Sequence, residues 1–292
     1  MLFIAQKPVH KLCALVAYAP TSLPSWFHES TTGYPNSLSI CAHLSEGGIK
    51  KKPKHNERPK CKCYEYPGAE EGFAQTKRLQ YDAKSAELAW SRSLDVIRKG
   101  FGTNVEKKED LEKLWEAHTA LEFEARDAAA TMATMTSDPY INHVPTMTGG
   151  VGADDLHRFY EDYFIPGNPP SLKMELVSRT VGTDRIVDEM HVSFKHTQEI
   201  PWMLPGVKPT GRTVETALVA IVGVRGGKLY NEHIYWDQAG VLVQIGLLDP
   251  DIVPGKAGKE KIAHRLPVVG AEGARKVINK RAAPSNKLIR GW

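Results

Sequence analysis

From Pro170 onward the chain changes its hydrophobic period, and this change limits the available folds more than any other feature. Before it, apolar residues recur at helical spacing; after it, they alternate. Five runs read as strands: Leu172–Val181, Arg185–Gln198, Thr213–Val224, Leu229–Trp236 and Val241–Leu247. Arg225-Gly226-Gly227-Lys228 joins the third to the fourth as a tight hairpin. Helices first and then a long antiparallel sheet make an α+β fold, with the helices covering one sheet face. In the second run, Met190, Val192, Phe194 and His196 alternate with Glu189, His191, Ser193, Lys195 and Thr197. That parity turns His196 toward the helices and His191 away from them.

The helical half supplies the cover. Leu111, Leu114, Trp115, His118, Leu121 and Glu122 line one face of the helical segment Leu111–Met135. Tyr140–Met147 follows and carries Asn142-His143-Val144-Pro145. Asp154 and Asp155 open the next helix, where carboxylates are favoured by the helix dipole and need no catalytic explanation. Leu156, Phe159, Tyr160, Tyr163 and Phe164 are its apolar residues, and Pro166–Pro170 ends it.

The first hundred residues have a different character. Leu12–Tyr18, Leu38–His43 and Cys63–Tyr66 read as strands, Lys50–Lys62 as a polar loop, and Tyr81–Gly100 as a helix. Thr103–Asp110 is charged and aperiodic, as a linker would be. The expected organisation is a segment 1–103, a domain 104–255 and a C-terminal tail 256–292.

Composition excludes several classes. With 292 residues, 41% hydrophobic and 25% charged, the chain is long enough for two domains with cores. A net charge of +4, without a basic stripe, argues against a nucleic-acid partner. The basic run Lys50–Lys54 lacks interleaved aromatics and reads as a solvated loop. No run approaches a membrane span, and Lys7, His10 and Lys11 interrupt the apolar start, so neither an anchor nor a secretory leader is expected. The four cysteines, Cys13, Cys41, Cys61 and Cys63, include no second pair at zinc spacing. Reduced thiols, a cytoplasmic location and no metal site are the expectation.

The order His196-Thr197, Pro209-Thr210-Gly211, the Gly226-Gly227-Lys228 hairpin, Trp236-Asp237 and Gln238-x-Gly240 resembles the SnoaL-like polyketide cyclase family. The resemblance covers residues ~106–255. It implies the cone-shaped α+β fold of nuclear transport factor 2, in which a curved antiparallel sheet wraps its helices. It also implies a cofactor-free cyclase, isomerase or hydratase acting on a polyketide-like carbonyl substrate, with Asp237 as the acid/base group. A carboxylate in an apolar cavity has a raised pKa and moves protons near neutral pH. His143 and His196 are the candidates to polarise the carbonyl oxygen or share the proton. Tyr140, Trp202, Met203, Trp236 and Phe194 are the candidate pocket wall. By the same resemblance, the partner is a small molecule and two copies pair through the open sheet face. Each assignment has a plainer reading. Asp237 stands before Gln238-Ala239-Gly240 as a turn cap would, His196 reads equally as a core histidine and His143 as a loop residue. His233 and Glu232 read as a surface pair, and the whole domain as a non-catalytic binding protein of the same fold.

The N-terminal segment Tyr66-Pro67-Gly68-Ala69-Glu70-Glu71-Gly72-Phe73 resembles the stretch that carries the catalytic histidine of dienelactone hydrolases. Glu71 stands in the histidine's place. No Gly-x-Cys-x-Gly or Gly-x-Ser-x-Gly elbow exists, and Cys13 has no flanking glycines. The resemblance implies a partial α/β-hydrolase-like segment without a nucleophile, and no hydrolase chemistry.

Overall fold

The computed structural model describes residues 13–18, 39–46, 61–101, 108–252, 265–289 and 291. The chain divides into two compact units, Met1–Lys107 and Lys108–Trp292. The expected loop Lys50–Lys62 lies, up to residue 60, outside the described residues. Among the described residues, no helix is long and apolar enough to cross a membrane.

Among its described residues the first unit holds three strands, β1 (Ala14–Tyr18), β2 (Ser39–Ser45) and β3 (Cys61–Tyr66), all parallel and adjacent in that order. Helix α1 (Ala83–Phe101) packs against β1 and β2. Its end comes so close to the start of β1 that a Cβ on Gly100 would sit 2.1 Å from the Cys13 carbonyl oxygen. Only glycine permits that approach.

The second unit begins with α2 (Lys108–Ala120), whose last turn widens into a π-helical turn, Leu121–Ala125. Arg126, at φ 57, ends it in the left-handed region. Helix α3 (Ala128–Ala133) follows, capped by the Asp127 carboxylate on the Ala130 N–H. Strands β4 (Met135–His143) and β5 (Thr148–Val151) lead into α4 (Ala153–Arg158). A second π-helical turn, Phe159–Phe164, and the short α5 (Ile165–Gly167) continue it. Then come β6 (Lys173–Val181), β7 (Arg185–Lys195), β8 (Thr213–Arg225) and β9 (Lys228–Trp236). The sheet order is β5-β4-β9-β8-β7-β6. One core joins the helices to the sheet, with Leu111 and Trp115 of α2 and Tyr160 of the second π turn meeting Ile186, Val192 and Val222.

Two expectations for this unit need correction. Val241–Leu247 is not a fifth strand; α6 (Gln238–Ile245) occupies that stretch. Its run of Val, Leu and Ile reads as a strand by composition. The Asp237 side chain accepts the Gly240 N–H at one end, and Gly246, at φ 81, closes the other. These two caps decide for helix. The sheet is also not wholly antiparallel, because β4 joins it parallel to β9. Asp138-Pro139 hides this strand in the sequence. The register shift between Met135 and Tyr140 takes up the proline, which cannot donate to the ladder.

The stretch expected to be a C-terminal tail carries α7 (Glu272–Ile278), which packs against β7 and β8. Arg275 holds the Glu215 carboxylate with Nε at 3.1 Å from both oxygens, and His191 lies 3.3 Å from the same group. His191 thus faces away from the core, as strand parity requires. The sheet face expected to be open for pairing is covered by α7 at these two strands.

Candidate functional site

The sheet and helices of the second unit line a cavity of about 200 Å³. One rung of the sheet crosses its floor: Arg179, Asp188, Ala220, Ile234 and His143 are neighbours in register on five successive strands. Strand parity points this set inward together with Leu176, Met190 and Leu218. Trp115, Thr119 and Phe123 come from α2 and its π turn, and Phe159, Tyr160 and Phe164 from the second π turn. Trp202 closes one side from the loop after β7. The wall is therefore mainly aromatic and aliphatic, with a few polar groups, as small-molecule sites are.

Those polar groups fall into three sets. In the first, His143 is 4% exposed and packed among rings, with Trp202 at 5.1 Å and Phe159 and Phe164 at 5.6 Å between centroids. Its Nδ1 meets the Thr148 carbonyl oxygen at 3.2 Å. A carbonyl only accepts, so Nδ1 carries the hydrogen and Nε2 the lone pair. Burial lowers this imidazole to about 4, only partly offset by the Thr148 hydrogen bond.

In the second set, the Asp188 carboxylate accepts Arg179 Nε at 2.8 Å, Arg179 Nη2 at 2.8 Å and Trp115 Nε1 at 2.8 Å. Its hydrogen bonds raise the Arg179 guanidinium further above its ordinary value, so Arg179 stays charged. Every acceptor position facing Arg179 and Trp115 is in use, so this set braces α2 against β6 and β7.

In the third set, His118 is fully buried with Nε2 at 3.2 Å from Glu122 Oε1, 3.3 Å from Glu232 Oε1 and 3.3 Å from the Tyr160 hydroxyl. Glu122, Tyr160 and Glu232 line the cavity. Burial opposes protonation of His118, but the nearby Glu122 and Glu232 carboxylates together outweigh it and lift the imidazole to about 10. Burial likewise pushes the Glu232 carboxyl up, against the pull of His118.

Of the residues expected at the site, only His143 and Trp202 line this cavity. Asp237 is exposed, and its carboxylate caps α6 on the Gly240 N–H at 3.0 Å. His196 is buried, but its Nδ1 lies 3.1 Å from Thr210 Oγ1 and accepts the Thr210 N–H at 3.3 Å. It therefore ties the Pro209-Thr210-Gly211 turn to the end of β7. Met203 and Phe194 are core side chains beside the cavity, and Trp236 packs edge-on against Trp202 at 5.4 Å. Tyr140 lies against His233, outside the cavity lining. Glu232 is no surface residue: it is 4% exposed and in phase with the buried Ile234 and Trp236. That phase, and the spacing of four between His118 and Glu122 on the apolar face of α2, were the sequence signals for the third set.

If Asp237 is a cap and nothing more, Asp237→Ala lowers stability by about 1 kcal/mol and leaves any turnover of the folded protein unchanged. Thermal melting and rate measured on the same sample test this. A rate loss without a melting change would return Asp237 to the chemistry.

Neither Ser93 nor Cys41 of the first unit is an activated nucleophile. Glu71 is exposed in a turn. His43 is buried with Nδ1 at 2.7 Å from the Tyr66 hydroxyl and Nε2 at 2.8 Å from Ser93 Oγ. Ser93, however, gives its own hydrogen to the Ala89 carbonyl at 2.7 Å, so it receives from His43 and is not activated by it. Burial pushes the Cys41 thiol up to about 11, which keeps it inert. Neither the chain nor Glu71→His should hydrolyse chromogenic esters. Steady-state hydrolysis, abolished by a thiol reagent acting on Cys13, would contradict this.

Residues 115–232 match the family model of the SnoaL-like domain. No curated protein matches the chain. Among solved structures, TsrD from Streptomyces laurentii is 17% identical, with 49% of this chain and 99% of that one covered and a TM-score of 0.40. A proposed SnoaL-like polyketide cyclase from Jannaschia sp. CCS1 is 18% identical, covering 49% and 99%, with a TM-score of 0.39. An NTF2-like protein from Burkholderia xenovorans LB400 is 14% identical, covering 48% and 98%, with a TM-score of 0.36.

Proposed function

We propose that the second unit is a small-molecule enzyme that moves a proton on an apolar, carbonyl-bearing substrate, as a cyclase, isomerase or hydratase of polyketide-like compounds would. The observation that carries this reading is His143: a neutral imidazole, fixed in one tautomer, on the wall of a mainly aromatic and aliphatic cavity. A base buried in this way stays unprotonated at neutral pH and is free to take up a proton from a substrate. Trp202, Phe159 and Phe164 offer ring faces to a flat substrate. The SnoaL-like match over residues 115–232 supports a small-molecule role for the same residues.

A non-catalytic carrier of the same fold is the second reading, favoured by the absence of Asp237 from the cavity wall. One experiment separates the two. Aromatic ketones and lactones are incubated with the protein in D₂O, and exchange at the carbon beside the carbonyl is followed by NMR. The enzyme reading predicts catalysed exchange for at least one compound. Ligands that bind without any exchange would favour the carrier.

A further inference from the structure

We propose that His118, Glu122 and Glu232 hold a first-row divalent transition-metal ion at the wall of the cavity. This goes beyond the proton-transfer reading and does not rest on it. Thr134 Oγ1 donates its only hydrogen to the Thr131 carbonyl at 2.7 Å, and it lies 2.6 Å from His118 Nδ1. It therefore accepts from Nδ1–H, which leaves Nε2 as the ring nitrogen that can ligate a metal ion once its proton is released. This is the second-shell arrangement that fixes a metal-binding histidine.

Three acceptor atoms then converge. Nε2 is 3.2 Å from Glu122 Oε1 and 3.3 Å from Glu232 Oε1, and all three donor atoms lie within 4.8 Å of one another. Atoms that share a cation at about 2.0–2.2 Å stand about 3.0–3.5 Å apart, so two of the three edges already have the required length. A proton on Nε2 does not satisfy the cluster. It points at one carboxylate at a time, and Glu232 Oε1 is buried without a hydrogen-bond partner. A divalent cation balances both carboxylates at once.

The ligand set defines the ion. One imidazole and two carboxylates suit zinc, manganese or iron, and imidazole disfavours magnesium and calcium. The ligands come from rigid places. His118 and Glu122 share one face at a spacing of four, where α2 passes into its π turn, and Glu232 sits on β9 between Val222 and Ile141 in register. Glu122 and Glu232 face the cavity, so the ion's remaining positions are open to a ligand there.

The test uses the full chain, stripped with a chelator and titrated calorimetrically with Zn²⁺, Mn²⁺ and Mg²⁺. The expected result is one equivalent of Zn²⁺, bound more tightly than Mn²⁺ and far more tightly than Mg²⁺, with a rise in melting temperature. Glu232→Gln and Glu122→Gln should weaken Zn²⁺ binding at least as much as loss of an outer-shell partner does, and Thr134→Val by that outer-shell amount, about 10–100-fold. Co²⁺ should give weak visible bands without an intense thiolate band in the near ultraviolet, which separates this site from the cysteines. If one glutamine variant does not fold, the other and Thr134→Val carry the comparison. Absence of a bound equivalent, a thiolate band, or unchanged affinity in the folded variants would overturn the assignment.

Discussion

His143→Gln should retain the fold and lose the catalysed exchange by about 10²–10⁴-fold, the usual contribution of a general base. Glutamine fills similar space and can still donate to the Thr148 carbonyl, but it has no nitrogen lone pair to take a proton. The pH profile adds a second check. The His143 imidazole is lowered to about 4 by burial, so the free base persists well below the ordinary histidine range. The acid limb of the rate should lie near pH 4 instead of near 6.5. The same shift sets the sign for stability. Between about 6.5 and 4 the unfolded histidine takes up a proton and the folded one does not, so stability contributed at this position falls as pH falls through that window. His143→Gln should flatten that dependence in thermal melts. An acid limb at 6.5, or full activity in the folded variant, would remove His143 from the chemistry.

The largest stability effect should come from Asp188→Ala. The carboxylate is 2% exposed and serves three donors at once: Nε and Nη2 of Arg179 and Nε1 of Trp115, each at 2.8 Å. Removing it leaves a cation and an indole N–H facing an apolar wall. Breaking a buried pair from one side costs about 3–5 kcal/mol. The low end applies here, because the Arg179 side chain is 15% exposed and keeps Glu116 at 2.8 Å. About 3 kcal/mol in a unit of this size corresponds to roughly 6–12 °C in melting temperature. Asp188→Asn should lose less, since an amide oxygen still accepts one of the donors. A loss below about 1 kcal/mol for Asp188→Ala would mean that the three contacts are not made together.

Much of this architecture is legible in the residues. Strands β6 to β9 follow from alternation and from the Gly226-Gly227 hairpin, because one buried sheet face imposes a period of two. Helix α6 is not legible from its apolar run, since Val241–Ile245 packs equally well in either structure and only its caps decide. Strand β4 is hidden by Pro139, whose cost the register shift absorbs. The site was half legible. His143 and Trp202 reach the cavity, but the motif order drew attention to Asp237, which follows the end of β9 and caps a helix. Glu232 looked solvated because charged residues usually are, although its phase with Ile234 and Trp236 places it inward. His118 and Glu122 share one face where α2 passes into its π turn, yet that segment alone cannot show that Glu232 meets them from the sheet. Only the register of β9 against β4 and β8 brings the three together.

The central claim is that the cavity of the second unit takes an apolar small molecule. The most direct test is quenching of tryptophan fluorescence by a panel of aromatic ketones and lactones, since Trp115 and Trp202 both line that space. The same titration is run on Ala220→Phe, which places a ring on the cavity floor where a methyl now lies. Saturable quenching by at least one compound in the unaltered chain, lost in a folded Ala220→Phe protein, is the predicted result. Equal binding by both proteins, or no saturable binding by either, would contradict it.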